Sequence, residues 1–166
     1  KINLLLTKYR KETFDKLFQI GKIEYKINYS LKEQIVLTNP ITDIPKSLYI
    51  AEDNINGFER TVIDAIANLE DVKWWHRNLE RGRGFYINGF INHYPDFIVR
   101  MKSGKILLIE TKGGNLDNTD SENKLYLGTK WANMLGNDYK YFMIFQNNTP
   151  QGAYNFNDAI SIIKQL

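Results

Sequence analysis

The sequence predicts an α/β fold in which a mixed β-sheet with a central hairpin is flanked by helices. Three observations predict it. Segments whose apolar residues recur at helical spacing alternate with short β-rich runs, two of those runs are separated only by a turn signal at Ser103 and Gly104, and the order after residue 50 is helix, hairpin, helix, strand, helix. This order is typical of a mixed α/β sandwich rather than of a doubly wound parallel sheet.

Three helices are predicted after residue 50. The first covers residues 57–69, the second covers residues 120–135 and is closed by Gly136, and the third covers residues 157–166 with Asn157 as its N-cap. The apolar residues that lie at helical spacing in the first of them are Phe58, Val62, Ile63, Ala65, Ile66 and Leu69.

The predicted sheet is built from three apolar runs. Residues 94–101 and 105–112 form the hairpin, and residues 139–146 form a strongly apolar strand after the second helix. The second strand of the hairpin is apolar on both faces, so it is expected to be buried.

Residues 1–50 are interpreted as a β-rich lead-in region, because the runs 22–29 and 34–38 favour β-structure before prolines break the pattern. Residues 51–166 are interpreted as the main core. The lead-in region is either separate or part of the same domain.

Composition restricts the chemistry that the chain can carry. The length of 166 residues suggests one domain, and the absence of cysteine excludes disulfides, thiolate metal sites and a cysteine nucleophile. A metal would be held by oxygen atoms or by the two histidines, and oxygen ligands favour Mg²⁺, Mn²⁺ or Ca²⁺. No apolar run approaches the ~20 residues that a membrane span needs, so we expect no membrane contact and a cytoplasmic location.

The net charge of +3 is distributed unevenly. Residues 51–72 carry one basic and six acidic side chains, whereas residues 73–112 carry eight basic and three acidic ones. A basic segment suits a polyanionic partner. A solvated basic face is the alternative interpretation.

The strongest local signal is a pair of charged residues at the end of an apolar strand. Alternate side chains of a strand share a face, so Glu110 and Lys112 point the same way. Buried charges are costly unless they are paired or bound to a metal, and such exceptions are typical of functional sites. The alternative is a structural ion pair at a strand end.

The length of the hairpin loop decides whether Asp96 joins this pair. A two-residue loop places Asp96 opposite Thr111, whereas the three-residue loop 102–104 places it opposite Glu110. Three-residue loops need a left-handed residue at their end, and Gly104 is suited to that position. We therefore predict the three-residue register or an equivalent bulge.

These residues suit metal-assisted phosphodiester hydrolysis. A metal held by Asp96, Glu110 and the main-chain carbonyl of Thr111 can bind a phosphate oxygen and lower the pKa of a bound water. Lys112 can orient or deprotonate that water, or stabilise the developing negative charge. Glu59 is a further catalytic candidate, because it lies on the first predicted helix beside the apolar face.

At these residues the chain resembles the PD-(D/E)XK nuclease superfamily. The motif reads Pro95-Asp96, then thirteen residues, then Glu110-Thr111-Lys112. The resemblance implies a restriction-endonuclease-like core over residues 51–166, and it implies the same site. Asp96, Glu110 and Thr111 would bind Mg²⁺, with Mn²⁺ as a substitute, and Lys112 would be catalytic, while Glu59 matches the acidic residue often found on the first core helix.

A closer resemblance is to the C-terminal endonuclease domain of the restriction (Res) subunits of type III restriction enzymes. The segments 72–78, 94–97 and 109–113 carry it. It implies cleavage of double-stranded DNA under the control of a helicase-like motor and a modification or recognition subunit, possible homodimerisation for double-strand cleavage, and a bacterial or phage origin. No phosphate-binding Gly-x-x-x-x-Gly-Lys-Ser/Thr motif occurs in the chain, so the motor lies outside it.

Five basic residues are candidate DNA contacts. Those before the motif can contact phosphates or form a solvated loop, and those after it lie on the helix that follows the active-site strand. They are Arg77, Arg81, Arg83, Lys124 and Lys130.

Two other functions fit the same sequence. One is a nuclease-like fold that serves as a catalytically silent nucleic-acid-binding or scaffold module. The other is a repair or recombination nuclease of the same superfamily, and RNA is a possible substrate.

Overall fold

A computed structural model describes residues 2–27, 29–55, 57–79, 84–114 and 119–166. Within these ranges the protein is a mixed α/β structure with four helices, a five-stranded mixed sheet and two small two-stranded sheets. The mixed α/β class predicted from the sequence is confirmed. None of the helices in these ranges combines the length and the apolar character needed to cross a membrane.

The described helices agree with the three predicted ones and add a fourth at the start of the chain. They are α1 (Ile2–Gln19), α2 (Gly57–Ala67), α3 (Thr119–Leu135) and α4 (Phe156–Ile163). The predicted N-cap of the last helix is wrong by two residues. The cap is Asn155, whose side-chain oxygen accepts from the Asp158 N–H at 2.9 Å, so it satisfies one of the unpaired N–H groups of the first turn.

The strands, in chain order, are β1 (Pro40–Ile41), β2 (Glu52–Asp53), β3 (Val72–Arg77), β4 (Ile87–Asn88), β5 (Asn92–His93), β6 (Phe97–Met101), β7 (Ile106–Lys112), β8 (Tyr139–Phe145) and β9 (Tyr154–Asn155). The main sheet has the order β3-β6-β7-β8-β9. β3, β6 and β7 pair antiparallel, whereas β7, β8 and β9 pair parallel. α3 connects β7 to β8, as a parallel pair requires a crossover.

Apolar layers cover both faces of the sheet. On one face, Leu107 and Ile109 of β7 belong to a cluster that includes buried residues of α2 and α4. On the other face, Leu108 belongs to a cluster that includes Leu127 and Trp131 of α3. β7 is buried on both faces, as predicted, because helices pack on each side of it.

The hairpin between β6 and β7 has the predicted three-residue loop. Phe97 pairs with Ile109 and Arg100 pairs with Ile106, so the chain position one step before Phe97 lies opposite Glu110. Gly104 has a φ of +95°, a conformation that L side chains rarely adopt and that glycine adopts at little cost.

The expectation that residues 1–50 are β-rich is wrong. α1 occupies most of the first twenty residues, and among the described residues of this region the only strand is β1, which pairs with β2. The side chain of Phe14 is buried in the same cluster as α3. The region meets the edge of the main sheet at Trp75, through two main-chain hydrogen bonds with Lys46 and Leu48 and a bond from the indole N–H to the Pro45 carbonyl. β-leaning composition alone therefore did not determine the structure.

Candidate active site

Asp96 lies at the point where β6 begins, and its side chain completes the hydrogen bonding of β7. Asp96 Oδ2 accepts from the Thr111 N–H at 2.6 Å and from the Thr111 hydroxyl at 2.8 Å. The carboxylate thus accepts from the Thr111 N–H, which lies beyond the last residue pair of the β6–β7 ladder. These two bonds hold the side chain of Asp96 beside the end of β7.

The Thr111 carbonyl points towards the side of β7 on which Asp96 lies. Main-chain groups of successive strand residues point alternately to the two neighbouring strands. The Lys112 carbonyl accepts from the Gln146 N–H, on the β8 side, at 2.9 Å. The carbonyl of Thr111 therefore points to the opposite side, where Asp96 lies.

Glu110 and Lys112 form a buried ion pair on the α3 face of the sheet. Lys112 Nζ lies 2.7 Å from Glu110 Oε1, and the side chain of Glu110 is only 3% exposed. The other carboxylate oxygen, Oε2, is buried, and none of the residues that the structure describes forms a hydrogen bond to it. Leaving a buried acceptor unpaired is costly, so this oxygen is suited to receive a ligand.

The surroundings of both carboxylates disfavour the charged form. Burial first, and then the charge of Glu110, raise the pKa of Asp96 to about 7, although the Thr111 hydrogen bonds and Lys112 oppose that change. Burial also raises the pKa of Glu110, against the opposing charges of Lys112 and Lys124. Additional positive charge would therefore stabilise both carboxylates in their ionised form.

The second positive charge at Glu110 comes from α3. Lys124 Nζ lies 3.6 Å from Glu110 Oε1 and 3.0 Å from Asp120 Oδ2. The helix approaches the sheet closely because Gly128, one turn later, packs on the ring of Tyr141. A Cβ at Gly128 would lie 2.5 Å from three atoms of that ring.

Glu59 lies near Asp96 but does not belong to the Glu110–Lys112 pair. Glu59 Oε2 is 3.6 Å from Arg77 Nη2, and the guanidinium of Arg77 also donates to the main-chain carbonyl of Asn54. Glu59, Arg77 and Asp96 line one polar cavity of about 340 Å³. The structure therefore brings a predicted catalytic residue and a predicted DNA contact together at a wall of this cavity.

Of the other predicted DNA contacts, Lys124 reaches Glu110, whereas Lys130 lies away from the site. Lys130 lies on α3 but contacts α1, with its Nζ 3.1 Å from Asp15 Oδ1 and 4.4 Å from the centre of the Phe18 ring. Arg81 and Arg83 lie outside the described residues. Their assignment to DNA binding stays a prediction.

Sequence reasoning missed a buried polar pair beneath the site. His93 Nε2 lies 2.8 Å from the hydroxyl of Tyr141. Burial, followed by the charges of Lys124 and Lys112, lowers the pKa of His93 to about 3, so the imidazole is neutral. The sequence contains no spacing signal for this pair, because the two residues are far apart along the chain.

The donor set fits a hard divalent cation. Two carboxylates and a main-chain carbonyl are the oxygen ligands that Mg²⁺ prefers, and the buried Oε2 of Glu110 is one of them. In the part of the chain that the structure describes, no three histidine, aspartate or glutamate side chains are grouped as a metal site. A cation would therefore be held by Asp96, Glu110, the Thr111 carbonyl and water.

No protein-family model, curated protein or solved structure matches this chain. The site residues and their contacts are therefore the basis on which a function can be proposed.

Proposed function

We propose that this chain is a metal-dependent endonuclease domain that hydrolyses DNA phosphodiester bonds and has a restriction-endonuclease-like core. The observation that carries the proposal is the buried pair of Glu110 and Lys112, one strand away from Asp96, with a Glu110 oxygen that accepts no hydrogen bond from the described part of the chain. A structural ion pair would not require a second carboxylate at the same strand end. The raised pKa of Asp96 indicates that this grouping is costly without a cation.

The proposed roles follow from these contacts. Asp96, fixed by Thr111, and Glu110, through its Oε2 atom, would hold Mg²⁺ or Mn²⁺, which supplies Lewis-acid stabilisation of phosphate charge and a more acidic water. Glu110 holds Lys112 at the strand end, beside the proposed cation ligands. Its ammonium would orient the attacking water and stabilise negative charge on the phosphate oxygens.

The polar cavity beside Asp96 suits part of the substrate. It is lined by Glu59 and Arg77, whose ion pair has exposed edges. Arg77 would contact a phosphate next to the scissile one. Glu59, which lines the same cavity as Asp96, would act as a further catalytic carboxylate.

A cleavage assay tests the proposal. Supercoiled and linear DNA are incubated with the wild-type chain, Asp96→Ala and Lys112→Ala, each with Mg²⁺, with Mn²⁺ and with EDTA. We expect cation-dependent cleavage by the wild type only. Cleavage by all three proteins alike would reject the assigned residues.

A silent wild-type domain would be examined by calorimetry with Mn²⁺. Binding that Asp96→Ala abolishes would retain the metal site and direct attention to the proposed motor, the recognition subunit or a second copy as the missing activator. The absence of binding would favour the alternative of a silent nucleic-acid-binding or scaffold module. A repair or recombination nuclease would cleave branched or damaged DNA in preference to intact duplex. Adding RNA to the same assay shows whether RNA is cleaved in place of DNA.

A further inference from the structure

The charges around Glu110 are unequal in how firmly they are held. Lys112 Nζ lies at hydrogen-bond distance from Glu110 Oε1, 2.7 Å, and its side chain is 11% exposed. Lys124 Nζ lies at 3.6 Å from the same oxygen, beyond hydrogen-bond length, and its side chain is 25% exposed. Lys124 is therefore the more weakly held of the two cations.

Lys124 also has a second partner already in place. Its Nζ is 3.0 Å from Asp120 Oδ2, one helical turn earlier on α3, and Asp120 is exposed. Residues four apart on a helix are neighbours, so Lys124 keeps an ion pair when it leaves Glu110. A short rotation of a flexible four-carbon side chain is enough for that movement.

We propose that Lys124 is a displaceable counter-ion of Glu110, which a divalent cation at Asp96 and Glu110 releases to bind a substrate phosphate. The inference rests on the proposed function. In the metal-free protein, two lysines balance the two carboxylates. A cation adds two positive charges to the same carboxylates, which makes the weaker lysine contact repulsive on balance.

The position of Lys124 is built into the packing of α3. Gly128 lies on the same face of the helix, one turn on, and its missing side chain lets the helix rest on the ring of Tyr141. At Gly89, a Cβ would lie 2.5 Å from a methyl carbon of Leu127. These two close approaches fix α3 against β8 and against the β4–β5 turn, and this position brings Lys124 to the end of β7.

Two measurements on Lys124→Gln test the inference, with Lys130→Gln as the matched control. Lys130 lies on the same helix, is 23% exposed and pairs with Asp15, so its substitution removes the same charge away from the site. Circular dichroism and thermal unfolding establish that both variants are folded. Mn²⁺ affinity is then measured by calorimetry, and affinity for a short fluorescent DNA duplex is measured by anisotropy over a range of salt concentrations, with EDTA and with Ca²⁺.

We expect Lys124→Gln to bind Mn²⁺ roughly tenfold more tightly than wild type, because a competing positive charge is gone. In Ca²⁺, we expect the slope of log affinity against log salt to be smaller for Lys124→Gln than for wild type, by about the amount that one phosphate contact contributes. In EDTA the two slopes should be equal, since Lys124 can contact DNA only when the cation is bound. Lys130→Gln should leave the Mn²⁺ affinity at its wild-type value.

Two results would overturn the inference and leave the proposed function standing: wild-type Mn²⁺ affinity in Lys124→Gln, or an equal loss of DNA affinity with and without Ca²⁺. Absence of Mn²⁺ binding by the wild type is a different result. It would reject the proposed function and, with it, the inference.

Discussion

Asp96 accepts two hydrogen bonds from Thr111, one from its main-chain N–H at 2.6 Å and one from its hydroxyl at 2.8 Å, both at Oδ2. A carboxylate thus takes the place of a strand at the end of the β6–β7 ladder. The contact couples the orientation of a proposed metal ligand to the main chain of the strand that carries Glu110 and Lys112.

Thr111→Val tests the contribution of the hydroxyl while preserving the size and the main-chain bond. We expect a loss of about 1 kcal/mol in the free energy of unfolding, as for one buried hydrogen bond, and weaker Mn²⁺ binding because Asp96 is less firmly oriented. Urea unfolding and calorimetry measure the two effects. Thr129→Val, at an exposed position on α3, is the control, and an equal change in both variants would contradict the role of Thr111.

The pH dependence of stability reports on Asp96. Its pKa in the folded protein is raised to about 7, so the folded state binds the proton more tightly than the unfolded state does. The stability gained in this way is fully present below the unfolded pKa of about 4 and is lost as the pH rises through about 7. In EDTA, we expect the free energy of unfolding of the wild type to fall by on the order of 3 kcal/mol between pH 4 and pH 8, relative to that of Asp96→Asn.

Urea unfolding at several pH values measures this difference, and Mg²⁺ at pH 8 should restore part of it by binding the charged form. Asp138→Asn, at an exposed position, supplies the control for removal of an acidic side chain. A wild-type curve parallel to that of Asp96→Asn would count against the burial of this carboxylate.

Lys112→Met separates the catalytic and structural roles of the ion pair. Removing one partner leaves Glu110 buried without its main counter-ion, so we expect a loss of about 3–5 kcal/mol in stability together with loss of cleavage. The double variant Glu110→Gln/Lys112→Met removes both charges, and it should recover most of the stability but none of the cleavage. A double variant as unstable as the single one would argue against a direct pair.

Gly128→Ala tests the close approach of α3. Alanine favours a helix over glycine by roughly 1 kcal/mol, but a Cβ here would lie 2.5 Å from the Tyr141 ring. We therefore expect a net destabilisation of about 1–3 kcal/mol, as in an overpacked core. Asn133→Ala, exposed on the same helix, should be neutral or stabilising, and thermal unfolding distinguishes the two.

Local periodicity was sufficient for the centre of the fold. Because side chains alternate along a strand, the sequence alone placed Glu110 and Lys112 on one face, and the structure pairs them at 2.7 Å. The three-residue loop ending at Gly104 was also predictable, since its conformation is a property of a few adjacent residues. The positions of α2 and α3 followed from helical spacing in the same way.

Contacts between distant parts of the chain could not be predicted in this way. The interpretation of residues 1–50 as a β-rich region did not predict α1. Lys124 reaches Glu110 because α3 packs closely on β8, and Glu59 pairs with Arg77 at a wall of the cavity. Neither of these two contacts leaves a periodic trace in the sequence, because each depends on the packing of elements that are separate along the chain.

The sequence by itself determined which residues share the strand end: Glu110 and Lys112 by alternation, and Asp96 through the length of the hairpin loop. Only the tertiary structure decided how these charges are balanced, with Thr111 holding Asp96 and Lys124 adding a second cation at Glu110. The physical reason is that alternation is a property of the local backbone, whereas burial and charge compensation depend on which elements pack together.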